Sequence, residues 1–160
     1  SKWFSAIEKE CKNVRENVGL LDMTAFAKCR IKGPGAEAFL DKLVANKLPK
    51  KIGRINLCHA LNTKGGVHSE FTIMRESETS FYLVSAGAFQ RLDHDWILKW
   101  MPNDGSVQFE NLTNSNGVLV VAGPKARELM QKVSKDDFSN ENFKWLSSKM
   151  VDVGLSLIHI

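Results

Sequence analysis

Little in this chain places it in a specialised class. Its three cysteines, Cys11, Cys29 and Cys58, are odd in number and have no close-pair spacing, so no disulfide framework or zinc knuckle is expected and a reducing compartment fits. No apolar run is long enough to span a bilayer, and the start, Ser1-Lys2-Trp3-Phe4, has no signal or transit pattern, so no membrane partner is expected. His59, His68 and His94 lack metal-type spacing, and no Gly-x-Ser-x-Gly or phosphate loop is present. No metal site is expected. The net charge of +4 is small and scattered apart from Lys47-Leu48-Pro49-Lys50-Lys51, which reads as a solvated loop, so no nucleic-acid partner is expected.

What is present is ordinary globular material. The 160 residues, 43% hydrophobic and 25% charged, suffice for one compact domain or for part of a larger one. Trp3 to Val18 carries a helical apolar stripe ended by Gly19, and Leu20 to Lys32 alternates as one strand with a face toward a core. Phe26 breaks that alternation as a large apolar group on the polar face, where it either covers a neighbouring helix or floors a ligand pocket. Gly33-Pro34-Gly35-Ala36-Glu37-Ala38 formally fits a dinucleotide fingerprint, but the preceding strand is too polar for a buried parallel strand and no ribose-binding acid follows. Pro34 instead suits the first turn of a helix.

The same design recurs downstream. Ile31-Lys32-Gly33-Pro34-Gly35-Ala36 matches Val121-Ala122-Gly123-Pro124-Lys125-Ala126, each followed by an amphipathic segment. Two related halves would produce this, and so would a common capping signal. Between the two lie a strand Ser80 to Ser85 and a helix Ala88 to Met101; Val107 to Phe109 and Gly117 to Val121 read as strands, and Lys125 to Val133 as a helix. The order is α+β, with mixed or antiparallel sheets flanked by helices.

The stretch Asn62 to Ile73 is the most informative. A Gly65-Gly66 turn separates two alternating apolar runs, the pattern of a β-hairpin. Glu70 then falls inside a strand, where acids are depleted; it sits either on the solvated face or in a pocket that uses a carboxylate. The closing Leu155-Ser156-Leu157-Ile158-His159-Ile160 reads as an apolar strand or as non-native, because it back-translates to CTG-TCT-CTT-ATA-CAC-ATC, which resembles a transposase adapter used for sequencing libraries. On the second reading the domain is 1–154, the tail is 155–160, and the chain is a fragment cut at its C-terminus.

Four segments carry a resemblance: Val14 to Thr24, Lys32 to Leu40, Lys64-Gly65-Gly66-Val67-His68-Ser69-Glu70-Phe71-Thr72, and Phe81 to Ala86. They resemble, in the right order over nearly all of residues 3–154, the tetrahydrofolate-binding region of dimethylglycine and sarcosine dehydrogenases, itself similar to the aminomethyltransferase, or T-protein, of the glycine cleavage system. The resemblance implies a truncated aminomethyltransferase folate-binding fold, with tetrahydrofolate as cofactor and a one-carbon donor as partner. It also implies an FAD domain in cis, in an N-terminal half outside this chain, that oxidises an N-methyl amine. The compartment implied is a bacterial cytoplasm or the mitochondrial matrix. The family's acid beside the reacting folate nitrogens falls in the Ser69-Glu70 pair, where only Glu70 can act as a carboxylate base; Phe26 matches a residue packed near the pterin, and Tyr82 and Val84 match the strand beside it. The family's later Tyr and Glu lie beyond Gly154, so this piece alone is expected to be inactive. A non-catalytic relative, the regulatory subunit of pyruvate dehydrogenase phosphatase, implies the alternative of a regulatory protein on the same fold.

Overall fold

A computed structural model describes residues 3–154 and the backbone of 156–159. The element order is α1 (Phe4–Glu16), β1 (Gly19–Asp22), β2 (Ala27–Lys32), α2 (Ala36–Leu43), β3 (Ile55–Leu61), β4 (Val67–Arg75), β5 (Ser80–Ser85), α3 (Gln90–Trp100), β6 (Gln108–Asn111), β7 (Leu119–Ala122), α4 (Ala126–Val133), β8 (Met150–Val153) and β9 (Ser156–His159). The expected α+β class with antiparallel sheets and flanking helices is what the chain forms. The contacts divide it into two units, Thr24–Gly117 with Leu146–Ser148, and Ser1–Met23 with Val118–Trp145 and Lys149–Ile160.

The first unit is organised by the hairpin. Asn62 Oδ1 accepts the main-chain N–H of Lys64 (2.9 Å) and of Gly66 (3.1 Å), while Gly65 takes φ +81°, a conformation that costs glycine no Cβ clash. The flanking strands β3 and β4 pair antiparallel, with His59 opposite Glu70 and Cys58 opposite Phe71. They extend into a sheet of order β3-β4-β5-β2-β6. Alternation along β4 puts Ser69, Phe71, Ile73 and Arg75 on one face, against a core that includes Ile31, Leu40, Leu83 and Ile97. Glu70 and Thr72 fall on the other face.

Two arginines within these strands are paired with carboxylates. Arg30 holds Glu76 through two hydrogen bonds (2.7 and 2.9 Å) and Glu110 through a third (3.1 Å). Arg75, 4% exposed, donates to Glu37 Oε2 at 2.8 Å and lies over the Phe81 ring. Lys28 is fully buried and donates from Nζ to the Thr24 carbonyl at 2.7 Å, so the polar face of β2 is not the solvated face that alternation suggests.

The single strand expected from Leu20 to Lys32 is two. β1 pairs with β7 in one sheet, β2 pairs with β5 and β6 in another, and a turn at Thr24–Phe26 separates them. Phe26 therefore precedes a strand instead of lying on the polar face of one. The expected helix from Ala88 begins as a single 3-10 turn, Gly87–Phe89, before α3, and the expected strands near Val107 and Gly117 are displaced by one or two residues to β6 and β7.

In the second unit α1 forms with its apolar stripe, yet none of its residues is buried; Trp3, Phe4 and Ile7 are exposed. The backbone of β9 runs antiparallel to β8, so the closing stretch forms a strand over Ser156–His159, while Leu155 and Ile160 lie outside the described residues. Each unit contains one copy of the Gly-Pro design. Gly33 and Gly123 adopt φ +123° and +125°, the Ala36 and Ala126 N–H groups donate to the Gly33 and Gly123 carbonyls, and Gly35 and Lys125 donate to the carbonyls of a crossing segment, Ser106 and Asn17.

Candidate functional site

The site is opened by a mismatch in strand pairing. β4 is paired with β3 along its length, but with β5 only from Thr72, opposite Val84, to Arg75, opposite Phe81. Val67–Glu70 thus runs on beyond its β5 partner, while the chain after Ser85 bends into the Gly87–Phe89 turn. The gap is a cavity of about 440 Å³ lined by Phe26, Val67 to Glu70, Thr72, Val84 to Ala86, Phe89 and Asp93. Its volume lies in the range of small-molecule pockets. A separate cavity of about 520 Å³, lined by Lys132 to Asp136 with Asp152 and Gly154, contains none of the candidate residues.

Four of the five expected residues meet at the first cavity. Glu70 is on the same strand face as Thr72, and Val84 lies opposite Thr72, so all three share one wall. Phe26 precedes Ala27, which pairs with Ser85, and this register brings its half-buried ring to the same rim. Ser69 points to the other face, is 5% exposed, and lies 2.9 Å from His68 Nδ1. Tyr82 is apart: it does not line the cavity, is 8% exposed, and accepts a hydrogen bond from Asn116 Nδ2 at 3.2 Å. Burial raises its hydroxyl pKa.

Three polar residues that the sequence did not single out surround the predicted set. His59 Nε2 stands 3.0 Å from Glu70 Oε2, and its Nδ1 stands 3.2 Å from Asn46 Oδ1. Asp93, 3% exposed, accepts the Ser85 hydroxyl at 2.6 Å through Oδ2, while Oδ1 is buried with no partner among the described residues. The burial of Cys29, and behind it the Asp93 charge, pushes that thiol up to about 12. His68 stacks on Trp96 with ring centroids 4.0 Å apart. Register with Glu70 is the signal that could have found His59; Asp93 joins the site only through the packing of α3, which alternation cannot show.

The arrangement can hold a flat, partly apolar ligand against Phe26 and Val84 with a carboxylate at its edge, able to accept a proton or a hydrogen bond. Among the described residues no group of His, Cys, Asp and Glu could hold a metal ion, and no helix is long and apolar enough to cross a membrane.

Comparison with known proteins follows the same lines. The mitochondrial dimethylglycine dehydrogenase of Mus musculus is 36% identical over 154 residues, covering 96% of this chain and 18% of that protein. The mitochondrial pyruvate dehydrogenase phosphatase regulatory subunit of Mus musculus is 30% identical over 154 residues, covering 95% of this chain and 18% of that protein. The chain thus spans less than a fifth of these curated relatives. The crystal structure of glycine cleavage system aminomethyltransferase T from Bartonella henselae superposes with a TM-score of 0.77 at 23% identity, covering 88% of this chain and 37% of that one. The GCVT N-terminal domain model matches residues 1–160, and the chain belongs to that family.

Proposed function

We propose that this chain is the tetrahydrofolate-binding part of a flavin-dependent N-methyl amine dehydrogenase of the dimethylglycine or sarcosine type, which passes one-carbon units to the folate. The observation that carries the proposal is Glu70 at the edge of a cavity walled by Phe26 and Val84. The similarity to a dimethylglycine dehydrogenase supports it, and so does the aminomethyltransferase fold. The residues fit the cofactor: Phe26 and Val84 offer apolar surface to a flat ring, and Ser69 and Asp93 are buried polar residues of the lining. When bound, a reduced folate supplies the nucleophilic nitrogen. Glu70 accepts the proton that this nitrogen loses, and Phe26 excludes water from that side. The amine-oxidising flavin, FAD, belongs on this reading to a domain in cis outside these residues.

The test is calorimetric titration of the chain with 5,6,7,8-tetrahydrofolate. Binding by the wild type, weakened about tenfold by Phe26→Ala through loss of roughly 1.4 kcal/mol of apolar contact, supports the reading. A wild-type chain that binds no reduced folate leaves the non-catalytic regulatory protein, against which the presence of Glu70 in the cavity now counts.

A further inference from the structure

We propose that Asn46 and His59 form an orienting chain behind Glu70, fixing which oxygen of that carboxylate meets the ligand. The purpose of this chain rests on the folate reading, but its geometry does not. Asn46 Oδ1 accepts the main-chain N–H of His59 at 2.8 Å, which identifies that atom as the amide oxygen. The same atom lies 3.2 Å from His59 Nδ1. An amide oxygen only accepts, so Nδ1 carries a hydrogen. The opposite ring nitrogen, Nε2, faces Glu70 Oε2 at 3.0 Å, and an ionised carboxylate also only accepts. One more proton must lie in that bond, as imidazolium beside carboxylate or as neutral imidazole beside carboxylic acid. Without it, two lone pairs would face each other at hydrogen-bond distance.

The backbone holds both ends of the chain. Ala45 donates to the His59 carbonyl at 2.9 Å, pinning the segment after α2 to β3, and His59 is directly opposite Glu70 in the β3–β4 register. Among the described residues, the groups that engage His59 or Glu70 through their side chains are each other and Asn46. His68, next on β4 toward the turn, is instead engaged with Ser69 and Trp96.

The consequence is an asymmetry between the two oxygens of Glu70. Its side chain is 60% exposed, and a carboxylate so exposed samples several rotamers unless it is tied down. The imidazole occupies Oε2, leaving Oε1 for the ligand. In the transfer step, the lone pair of the ligand nitrogen forms the new bond to the carbon of an iminium or formaldehyde electrophile, whose π pair moves onto its own nitrogen or oxygen. The N–H bond of the now cationic ligand nitrogen then breaks, its electron pair returning to that nitrogen and its proton going to Oε1, while the other hydrogen stays on Nε2 of His59. His59 is a positioning residue in this scheme, related to Glu70 as an orienting group is to a base in nucleophile–base–orienter sets.

The experiment uses the chain with nitrogen-15 histidine and the variants Asn46→Ala, His59→Gln and Glu70→Gln. Long-range proton–nitrogen spectra near neutral pH should show His59 with Nδ1 protonated and a proton shared at Nε2. Glu70→Gln should leave a single neutral Nδ1–H tautomer, and Asn46→Ala should release the tautomer choice. A mixture of neutral tautomers that neither substitution changes overturns the orienting chain, whether or not folate binds. In calorimetry with 5,6,7,8-tetrahydrofolate, His59→Gln should weaken binding by about threefold, the scale of one exposed charged contact. A variant that loses thermal stability while its affinity stays in place shows His59 to be structural and overturns the proposal. If the wild type binds no tetrahydrofolate, the folate reading falls, and the spectra alone decide on the chain.

Discussion

A β-carbon added at Gly87 would lie 1.8 Å from the carbonyl oxygen of Ala25. The turn leading into α3 therefore rests directly on the turn that carries Phe26, and only a residue without a side chain permits the approach. Gly87→Ala should push the two turns apart and move the Phe26 ring from the cavity rim. The expected cost is about 1 to 3 kcal/mol of stability, as for other overpacked sites, together with weaker binding of reduced folate. Gly65→Ala is the control. At φ +81° with nothing within 4 Å of an added Cβ, it should cost about 1 kcal/mol of backbone strain alone and leave binding in place. Urea unfolding and calorimetric titration of both variants separate the two effects.

The Arg75–Glu37 pair gives a stability signature in acid. The Arg75 guanidinium, and secondly the Lys50 ammonium, hold the Glu37 carboxyl down to about 2 from an ordinary value of 4.5. A carboxyl depressed in the folded state stabilises the fold above its unfolded value and loses that contribution as pH falls through its folded value. The wild type should therefore lose stability progressively between about pH 4.5 and about pH 2 from this group. Glu37→Gln should flatten that part of the curve and lower stability near neutral pH. Urea midpoints measured across that range check the sign.

The hairpin was legible because Asn62, Gly65 and Gly66 carry their own turn chemistry and because alternation along β4 is undisturbed from Ser69 to Arg75. The Gly-Pro repeat was legible for a similar reason, since a local motif with a positive-φ glycine repeats its backbone in each unit. The break between β1 and β2 was not legible, because Thr24, Ala25 and Phe26 include neither glycine nor proline and the apolar alternation runs straight through the turn. At the site, the strand positions Ser69, Glu70 and Val84 could be read from pattern and resemblance. Asn46 and Asp93 reach the site through loop and helix packing, which no periodicity records.

The cysteines should separate sharply in reactivity. Cys11 is exposed on α1, whereas burial pushes the Cys29 thiol up to about 12 and the Cys58 thiol up to about 11. Thiolate is the reacting form, so near neutral pH a thiol reagent should modify Cys11 alone in the native chain. All three should react in denaturant. Mass spectrometry of the native labelling reaction should show one adduct; rapid addition of two or three would mean that β2 and β3 open readily at these positions.

Tyr82 offers the clearest contrast between what resemblance implies and what the packing does. Its hydroxyl accepts from Asn116, the Arg30 guanidinium lies 5.9 Å from its ring centroid, and the cavity wall is formed by Val84, two residues further along β5. Alternation gives Tyr82 and Val84 the same face, so resemblance along the strand selects both, but the gap between β4 and β5 opens only beyond Thr72 and Val84. Tyr82→Phe removes one part-buried hydrogen bond and should cost about 0.5 to 1.5 kcal/mol of stability. Binding of reduced folate should change by less than about twofold, under 0.5 kcal/mol. Val84→Ala, by shortening the wall itself, should weaken binding by about tenfold, in keeping with the loss of two methyl groups of apolar contact. The same two titrations decide the assignment. A large loss of affinity in Tyr82→Phe with little change in Val84→Ala would place the ligand further along β5, over the Arg30–Tyr82 surface, and remove the cavity beside Glu70 from consideration.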